Sequence, residues 1–372
     1  MTHPAPRRIA IVTGTRADFG LLTPVIRAIE AHPRLEPLVI VTGVHLLRDA
    51  ASLDDIGKVC RIAARFPMQR AGETGRHADA RAVARGIAGM TDVLERFEPD
   101  VVLVLGDRIE AFAAAGAAAV AGSFIAHIHG GDRAEGVADE AMRHAISKLA
   151  HVHLVACQSS HERLLRMGEQ AARIFTVGSP ALDDLASMPP LDDAAFADLG
   201  APMFIILLHP TGDREDLEQA NASSLLYACA AHGPTCVLAP NQDPGAAGIL
   251  HAYADAGVDV IEHLPRATFI GLLRRARALV GNSSAGLIET TALPTWSINI
   301  GPRQTGRERS PGVIDVAWND PHALDAALMH VRTADPPVAS TVFGTGDAGA
   351  RIADVLARVP ETTWSVHKVN AY

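Results

Sequence analysis

Ten short apolar runs punctuate the chain: Ile9–Thr13, Leu38–Thr42, Val101–Leu105, Phe124–Ile128, His153–Ala156, Ile174–Val177, Phe204–Leu208, Cys236–Leu238, Ala278–Val280 and Trp296–Ile300. Several are hydrophobic throughout instead of alternating. That pattern suits central strands of a parallel sheet whose two faces are both covered. Longer Ala/Leu/Arg segments separate the runs, which gives βαβ units and a doubly wound α/β fold. Ala111 to Ala126 is the longest uncharged apolar run, broken at Gly122-Ser123 and shorter than the roughly 18 residues a membrane span needs. It reads as a helix followed by a strand.

At 372 residues the chain is long enough for two domains. The break is expected near residues 186–202, where Pro189-Pro190, a short Asp-rich helix and Gly-Ala-Pro precede a second series of strands. The organisation read here is a Rossmann-like domain over 1–188 carrying most acid/base residues, a second Rossmann-like domain over 200–358 holding a nucleotide diphosphate, and a tail over 359–372. Two such halves would make a cleft between them. Ligands in these sheets sit at the carboxyl ends of strands, so the residues that follow each run carry most weight.

Composition excludes several classes. Lys plus Arg is 33 against 42 Asp plus Glu, a formal charge of −9. Nucleic acid and anionic membranes select basic faces, so neither is an expected partner. The four cysteines, Cys60, Cys157, Cys229 and Cys236, show no zinc or disulfide spacing, and the start shows no signal peptide; a reducing cytoplasm is the expected context. No G-x-G-x-x-G or P-loop pattern occurs, so neither a dinucleotide cofactor nor P-loop chemistry is signalled.

Several strand ends carry candidate chemistry. Gly14-Thr15-Arg16-Ala17-Asp18 opens a helix, and backbone N–H groups there with Arg16 can hold an anion; the plain alternative is a strand–helix turn with a structural Arg16–Asp18 contact. Gly106-Asp107-Arg108 offers an acid and a phosphate anchor, or else Asp107 caps the next helix. The densest cluster is His127-Ile128-His129-Gly130-Gly131-Asp132 with Glu135, Asp139-Glu140 and Arg143-His144. Asp139 and Arg143, four apart, can pair on one helix face. His127-x-His129 and His151-x-His153 leave a metal-site alternative open. In the second half stand His209-Pro210, Pro240-Asn241-Gln242-Asp243 and Gly281-Asn282-Ser283-Ser284-Ala285-Gly286. In the last, small residues can surround a diphosphate at a helix start, with Glu289 able to accept from a ribose; a simple Ser N-cap is the alternative. Gly301-Pro302-Arg303-Gln304-Thr305-Gly306-Arg307 adds two Arg on a loop.

GTRADFG, LGDRIEAF, HIHGGD…ADEAMRHAISKLAHVHLV, VGSPALD, LLHP, PNQD, GNSSAGLIE and INIGPRQTGRE, in this order, resemble the hydrolysing UDP-N-acetylglucosamine 2-epimerases of sialic and legionaminic acid biosynthesis. The resemblance covers about residues 8 to 316. It implies the two-domain glycosyltransferase-B architecture, a nucleotide-diphospho-sugar substrate, no metal or redox cofactor, and a homodimer or homotetramer. It implies anti elimination of the diphosphate and hydration of the resulting glycal with inversion at C2. Asp107 and Asp139 fall on the family's catalytic carboxylates, and His129 on a third acid/base position. Arg16, Arg108, His209, Asn241, Ser283, Ser284, Glu289 and Arg303 fall on positions holding the nucleotide diphosphate, with His209 also assisting its departure. Arg143, His144, Asn282, Gly286 and Arg307 stand beside them as candidate substrate contacts. The family usually reads Gly-Gly-Glu where this chain reads Gly-Gly-Asp132. Asp132 is therefore a catalytic candidate one methylene short, and the exact sugar is left open.

Overall fold

The computed structural model describes residues 5–47, 50–133, 140–241, 243–359 and 364–371. Its residues divide into two compact units. The first contains β1 (Arg7–Thr13), α1 (Arg16–Ala31), β2 (Leu35–Val41), α2 (Ala50–Val59), β3 (Ile62–Arg65), α3 (Arg76–Phe97), β4 (Val101–Leu105), α4 (Ile109–Val120), β5 (Ile125–Ile128), α5 (Glu140–Leu149), β6 (Val152–Val155), α6 (Gln158–Arg166) and β7 (Ile174–Thr176). Its seven strands are all parallel, in the order β3-β2-β1-β4-β5-β6-β7. The central strands β1, β4 and β5 are almost wholly buried, as continuous apolar runs demand when both sheet faces are covered.

The second unit follows with α7 (Asp193–Asp198), β8 (Phe204–Leu207), α8 (Glu215–His232), β9 (Thr235–Leu238), α9 (Ala246–Asp255), β10 (Val260–Ile261), α10 (Arg266–Leu273), β11 (Ala278–Gly281), β12 (Trp296–Ile300), β13 (Val313–Val316) and α11 (Pro321–Thr333). Its six strands are again parallel, in the order β10-β9-β8-β11-β12-β13. The short Asp-rich helix is α7, where the Asp192 carboxylate accepts from the Ala195 amide at 2.8 Å.

The unit boundaries differ from those read in the sequence. The second unit spans 184–343, and the chain then returns to the first. The last helix, α12 (Ala348–Arg358), does not cover the second sheet. Ile352, Val355 and Leu356 instead share one core with Ile9 and Ile11 of β1 and Leu22, Val25 and Ile26 of α1. Burying side chains of this size stabilises by about 1.5–3 kcal/mol each, which is why the helix is held. The Asp183 carboxylate caps it, accepting from the amides of Ala348 (2.9 Å) and Gly349 (2.6 Å). Residues 364–371, expected as a tail, are also docked on the first unit: the Val366 carbonyl accepts from His151 Nε2 at 2.8 Å. The opposite face of the first sheet carries a core of Ala10, Val12, Val102 and Val104 against α3 and the Ala-rich α4. Alanine there lets α4 lie close; a Cβ on Gly86 of α3 would come within 2.9 Å of the Ala113 methyl.

All four cysteines are free and buried. Among the described residues no helix is long and apolar enough to cross a membrane.

Candidate active site

In the first unit the turn after β4 presents Asp107. Its carboxylate is held by the guanidinium of Arg143, a buried residue of α5. Asp107 is therefore not a helix cap; the N-cap position of α4 is Arg108, which makes no side-chain cap bond. The Arg108 Nε lies 3.7 Å from the buried carboxylate of Glu110. Glu110 fits because Gly14 and Gly43 lack side chains: a Cβ on either would come within 3 Å of it. Asp139, and with it the expected Asp139–Arg143 pair, lies outside the described residues, as does Glu135.

After β5 the backbone takes an uncommon path. His129 has φ 63°, a left-handed conformation that costs a non-glycine residue on the order of 1 kcal/mol or more. The turn continues through Gly131 at φ 74°, where a Cβ would strike the Ser160 carbonyl at 2.5 Å. The result is a buried polar chain. His129 Nδ1 lies 2.8 Å from one Asp132 oxygen, and the Ser160 hydroxyl donates to the other at 2.7 Å. His129 Nε2 lies 3.0 Å from the Ser179 hydroxyl. An ionised carboxylate only accepts, so Nδ1 carries the hydrogen that points at Asp132. In the neutral ring Nε2 is then the basic nitrogen, facing a hydroxyl that can rotate.

Asp132, expected as a catalytic candidate, is 2% exposed, and its two oxygens are engaged by the His129 ring and the Ser160 hydroxyl. Ser160 and Ser179, which complete the chain, were not singled out from the sequence, although Ser179 lies within the VGSPALD segment. The histidines of the metal alternative have other partners. His127 is engaged by Gly106 and Ser147, His151 by Ile125 and Val366, and His153 by Glu169. Among the described residues no group of three or more possible ligands comes together.

At the Gly14–Asp18 turn a side chain takes two of the backbone donors. The Asp18 carboxylate itself accepts from the amides of Gly14 and Thr15, each at 3.0 Å. Thr15 and Asp18 form a capping box, so these N–H groups are not available to an anion. The Thr-x-x-Asp spacing was the sequence signal for it. Arg16 is exposed. His144 reaches Glu140 on its own helix at 3.4 Å.

In the second unit the candidates gather at the carboxyl ends of β8, β11 and β12. The Asn241 amide donates to His209 Nδ1 at 3.1 Å. A backbone N–H can only donate, so Nδ1 accepts and the ring hydrogen sits on Nε2. Burial, helped by the Arg303 charge, pushes the His209 pKa down to about 3. His209 is therefore a neutral N–H donor at ordinary pH and not a store of protons.

Asn282 is not free to bind a nucleotide through its side chain. Its Oδ1 accepts from the His209 amide and its Nδ2 donates to the His209 carbonyl, each at 2.7 Å. The Asn282 carbonyl in turn accepts from Gln304 at 2.8 Å and from Arg303 at 3.3 Å. Asn282 thus locks His209 and ties it to the Arg303 loop. That loop is stapled by Arg309, which forks onto Asp315 and donates to the carbonyls of Gln304 and Arg307; neither Gln304 nor Arg309 was anticipated.

The expected helix after Gly281 is instead two 3-10 turns, Ser284–Gly286 and Glu289–Ala292. Ser283 caps the first, accepting from the Ala285 amide at 3.4 Å, and Ser284 is only half-buried. Gly286 is required by packing, since a Cβ would meet the Ser297 hydroxyl at 2.6 Å. Glu289 is buried and lies 3.7 Å from the Arg266 guanidinium. The Asn241 side chain turns to Asp243.

A profile described as UDP-N-acetylglucosamine 2-epimerase matches residues 27–357. The UDP-N,N'-diacetylbacillosamine 2-epimerase (hydrolyzing) of Legionella pneumophila is 35% identical over 98% of this chain and 100% of its own length. A UDP-N-acetylglucosamine 2-epimerase of Neisseria meningitidis is 32% identical over 97% of both. Among solved structures, that of the Neisseria meningitidis UDP-GlcNAc 2-epimerase bound to UDP-GlcNAc superposes with a TM-score of 0.77 at 19% identity, covering 94% of this chain and 100% of that one. The two parallel α/β units thus have the fold of that enzyme group.

Proposed function

The chain belongs to the UDP-N-acetylglucosamine 2-epimerase family, and on that premise we propose that it is a hydrolysing nucleotide-sugar 2-epimerase. It takes UDP-GlcNAc, or a related UDP- or GDP-linked 2-acetamido sugar such as diacetamido-bacillosamine, to the free ManNAc-type sugar and the nucleotide diphosphate. The hydrolysing assignment is supported by the full-length similarity to the Legionella enzyme.

The observation that carries the chemistry is His209, a neutral ring whose Nδ1 is taken by the Asn241 amide, so that its hydrogen sits on Nε2. Elimination breaks the bond between C1 and the diphosphate oxygen while a base removes the C2 proton. The leaving oxygen needs a donor that does not have to lose its hydrogen, and charge on it needs cations. His209 supplies the first and Arg303 the second, with the Ser283–Gly286 turn and Asn241 beside them and Glu289 reserved for the ribose. The first unit supplies the groups that exchange protons with the sugar: Asp107 and Asp139 as carboxylates, and His129 through Nε2. Water then adds to the glycal, its oxygen to C1 and a proton to C2 on the face opposite the one that lost it. Asp132 serves by holding His129 in one tautomer.

The remaining expectations belong to the same reading: action in the cytoplasm, in keeping with four free thiols, assembly as a homodimer or homotetramer, and a place in sialic- or legionaminic-type sugar synthesis.

Proton NMR of the purified protein with UDP-GlcNAc, and separately with UDP-diacetamido-bacillosamine, in deuterated water tests this. Free sugar carrying deuterium at C2, with UDP released, is the expected result. A deuterated C2 epimer still joined to UDP would move the assignment to the non-hydrolysing reaction. Sugar transfer to an added acceptor would make it a glycosyltransferase.

A further inference from the structure

Residues 364–371 are fastened at the amino-terminal ends of β5 and β6. The Trp364 ring stacks near Phe124, and the Arg173 guanidinium lies 4.9 Å from its centre. The Ala371 amide donates to the Gly168 carbonyl at 2.8 Å. Between these ends the Lys368 ammonium reaches the last turn of α5. It donates to the carbonyls of Ser147 (2.9 Å) and Lys148 (2.8 Å) and pairs with buried Glu169 at 2.6 Å. The last carbonyls of a helix have no partner within it, and a cation there also opposes the helix dipole.

The other side of α5 leads to the candidate active site. The His127 Nε2 lies 2.7 Å from the carbonyl of Gly106, the residue before Asp107, and its Nδ1 lies 3.2 Å from the Ser147 hydroxyl. A carbonyl only accepts, so Nε2 carries the hydrogen. Burial holds the ring neutral, with its pKa at about 3, so the Ser147 hydroxyl donates to Nδ1. Gly130 leaves room for the pair: a Cβ there would come within 2.9 Å of the ring. One turn earlier on α5, Arg143 grips the Asp107 carboxylate. The Gly106–Asp107 turn is thus tied to α5 directly through Arg143 and indirectly through His127 and Ser147, while the Gly106 amide also donates to the Ile128 carbonyl of β5 at 3.0 Å.

The described part of α5 is ten residues long, a length that is not stable by itself in water. A slip of one residue moves it about 1.5 Å and turns it about 100°. That would carry Arg143 off Asp107, and a displacement near 1 Å in catalytic geometry costs about a hundredfold.

We propose that residues 364–371 are a strap that fixes α5 along its axis, so that Ser147 and Arg143 hold the Gly106–Asp107 turn in register, with Lys368 as a positioning residue for Asp107. The proposal rests on the reading of Asp107 as a reacting carboxylate.

The test uses the full chain with Lys368→Met and Lys368→Arg, read by steady-state kinetics and by amide hydrogen exchange. Lys368→Met should lower kcat about tenfold, within the range of effects transmitted through a packed network, with KM changed less than twofold. Exchange should quicken about tenfold at the end of α5 and at residues 106–109, with the second unit unchanged. Lys368→Arg should restore most of both. Faster exchange at the end of α5 with residues 106–109 and kcat unchanged would overturn the proposal. So would a uniform rise in exchange across the whole first unit, which marks a merely structural lysine. If the wild-type chain releases sugar from no nucleotide sugar, the proposed function fails by itself, and exchange at residues 106–109 still decides the strap.

Discussion

Asn282→Ala separates two roles for one residue. The side chain is 1% exposed and makes two 2.7 Å bonds to the His209 peptide. Truncation leaves that N–H and that C=O buried without their partner, at about 1–3 kcal/mol each. Water entering the vacated space recovers part of this, leaving a loss of about 2–4 kcal/mol. A unit of the size of residues 184–343 shifts by about 2–4 °C per kcal/mol, so its melting transition should fall by roughly 5–15 °C. Scanning calorimetry of the variant and wild type measures the shift, and titration with UDP measures affinity. Because His209 also loses its alignment, kcat should fall about 10- to 100-fold. Asn282→Asp should be worse, since it keeps the acceptor but faces a carboxylate to the His209 carbonyl. The clamp is refuted if Asn282→Ala melts within 2 °C of wild type while UDP binding weakens tenfold or more. That pattern would mean the amide contacts the nucleotide directly.

Asp132→Asn keeps the volume but removes the charge beside His129; kcat should fall 10- to 100-fold with KM unchanged, and unaltered kcat would contradict its orienting role. Arg303→Ala removes a charge-assisted contact worth about 1.5–3 kcal/mol, so UDP affinity measured by calorimetric titration should drop by at least tenfold while kcat at saturation changes little. The pKa values of His127 and His209 are depressed to about 3 and that of Glu169 to about 2. The stability they confer is present above the unfolded values of about 6.5 and 4.5 and is lost as pH falls. Urea midpoints should decline as pH falls below about 6.5; equal midpoints at pH 7 and pH 4 would refute this.

What the sequence made legible follows from what is local. The central strands announce themselves because burial on both faces demands unbroken apolar runs. The strands it missed, β3, β10 and β13, are all sheet edges. An edge strand is covered less completely, as the half-buried β3 and β10 show, so its sequence needs no such run. Strand-end positions of the candidate residues were likewise legible, while the direction of each side chain was not. Asp132 reads as a charge after Gly-Gly; only Ser160, 28 residues on, shows that it points inward. Asn282 looks like a ligand contact until His209, 73 residues away, occupies it. Helix α12 is amphipathic in sequence, yet which sheet its apolar face covers is a non-local matter that periodicity does not encode.

The return of α12 to the first unit has a consequence for the order of events during synthesis. At about 5–20 residues per second, residues 184–343 take roughly 10–30 s to make. Throughout that interval the faces of β1 and α1 that Ile352, Val355 and Leu356 will cover stand open to water. The half made first is therefore the half completed last. A nascent chain halted near residue 343 should display a sticky aliphatic surface on its amino-terminal half, a natural target for chaperones, although that half was translated long before.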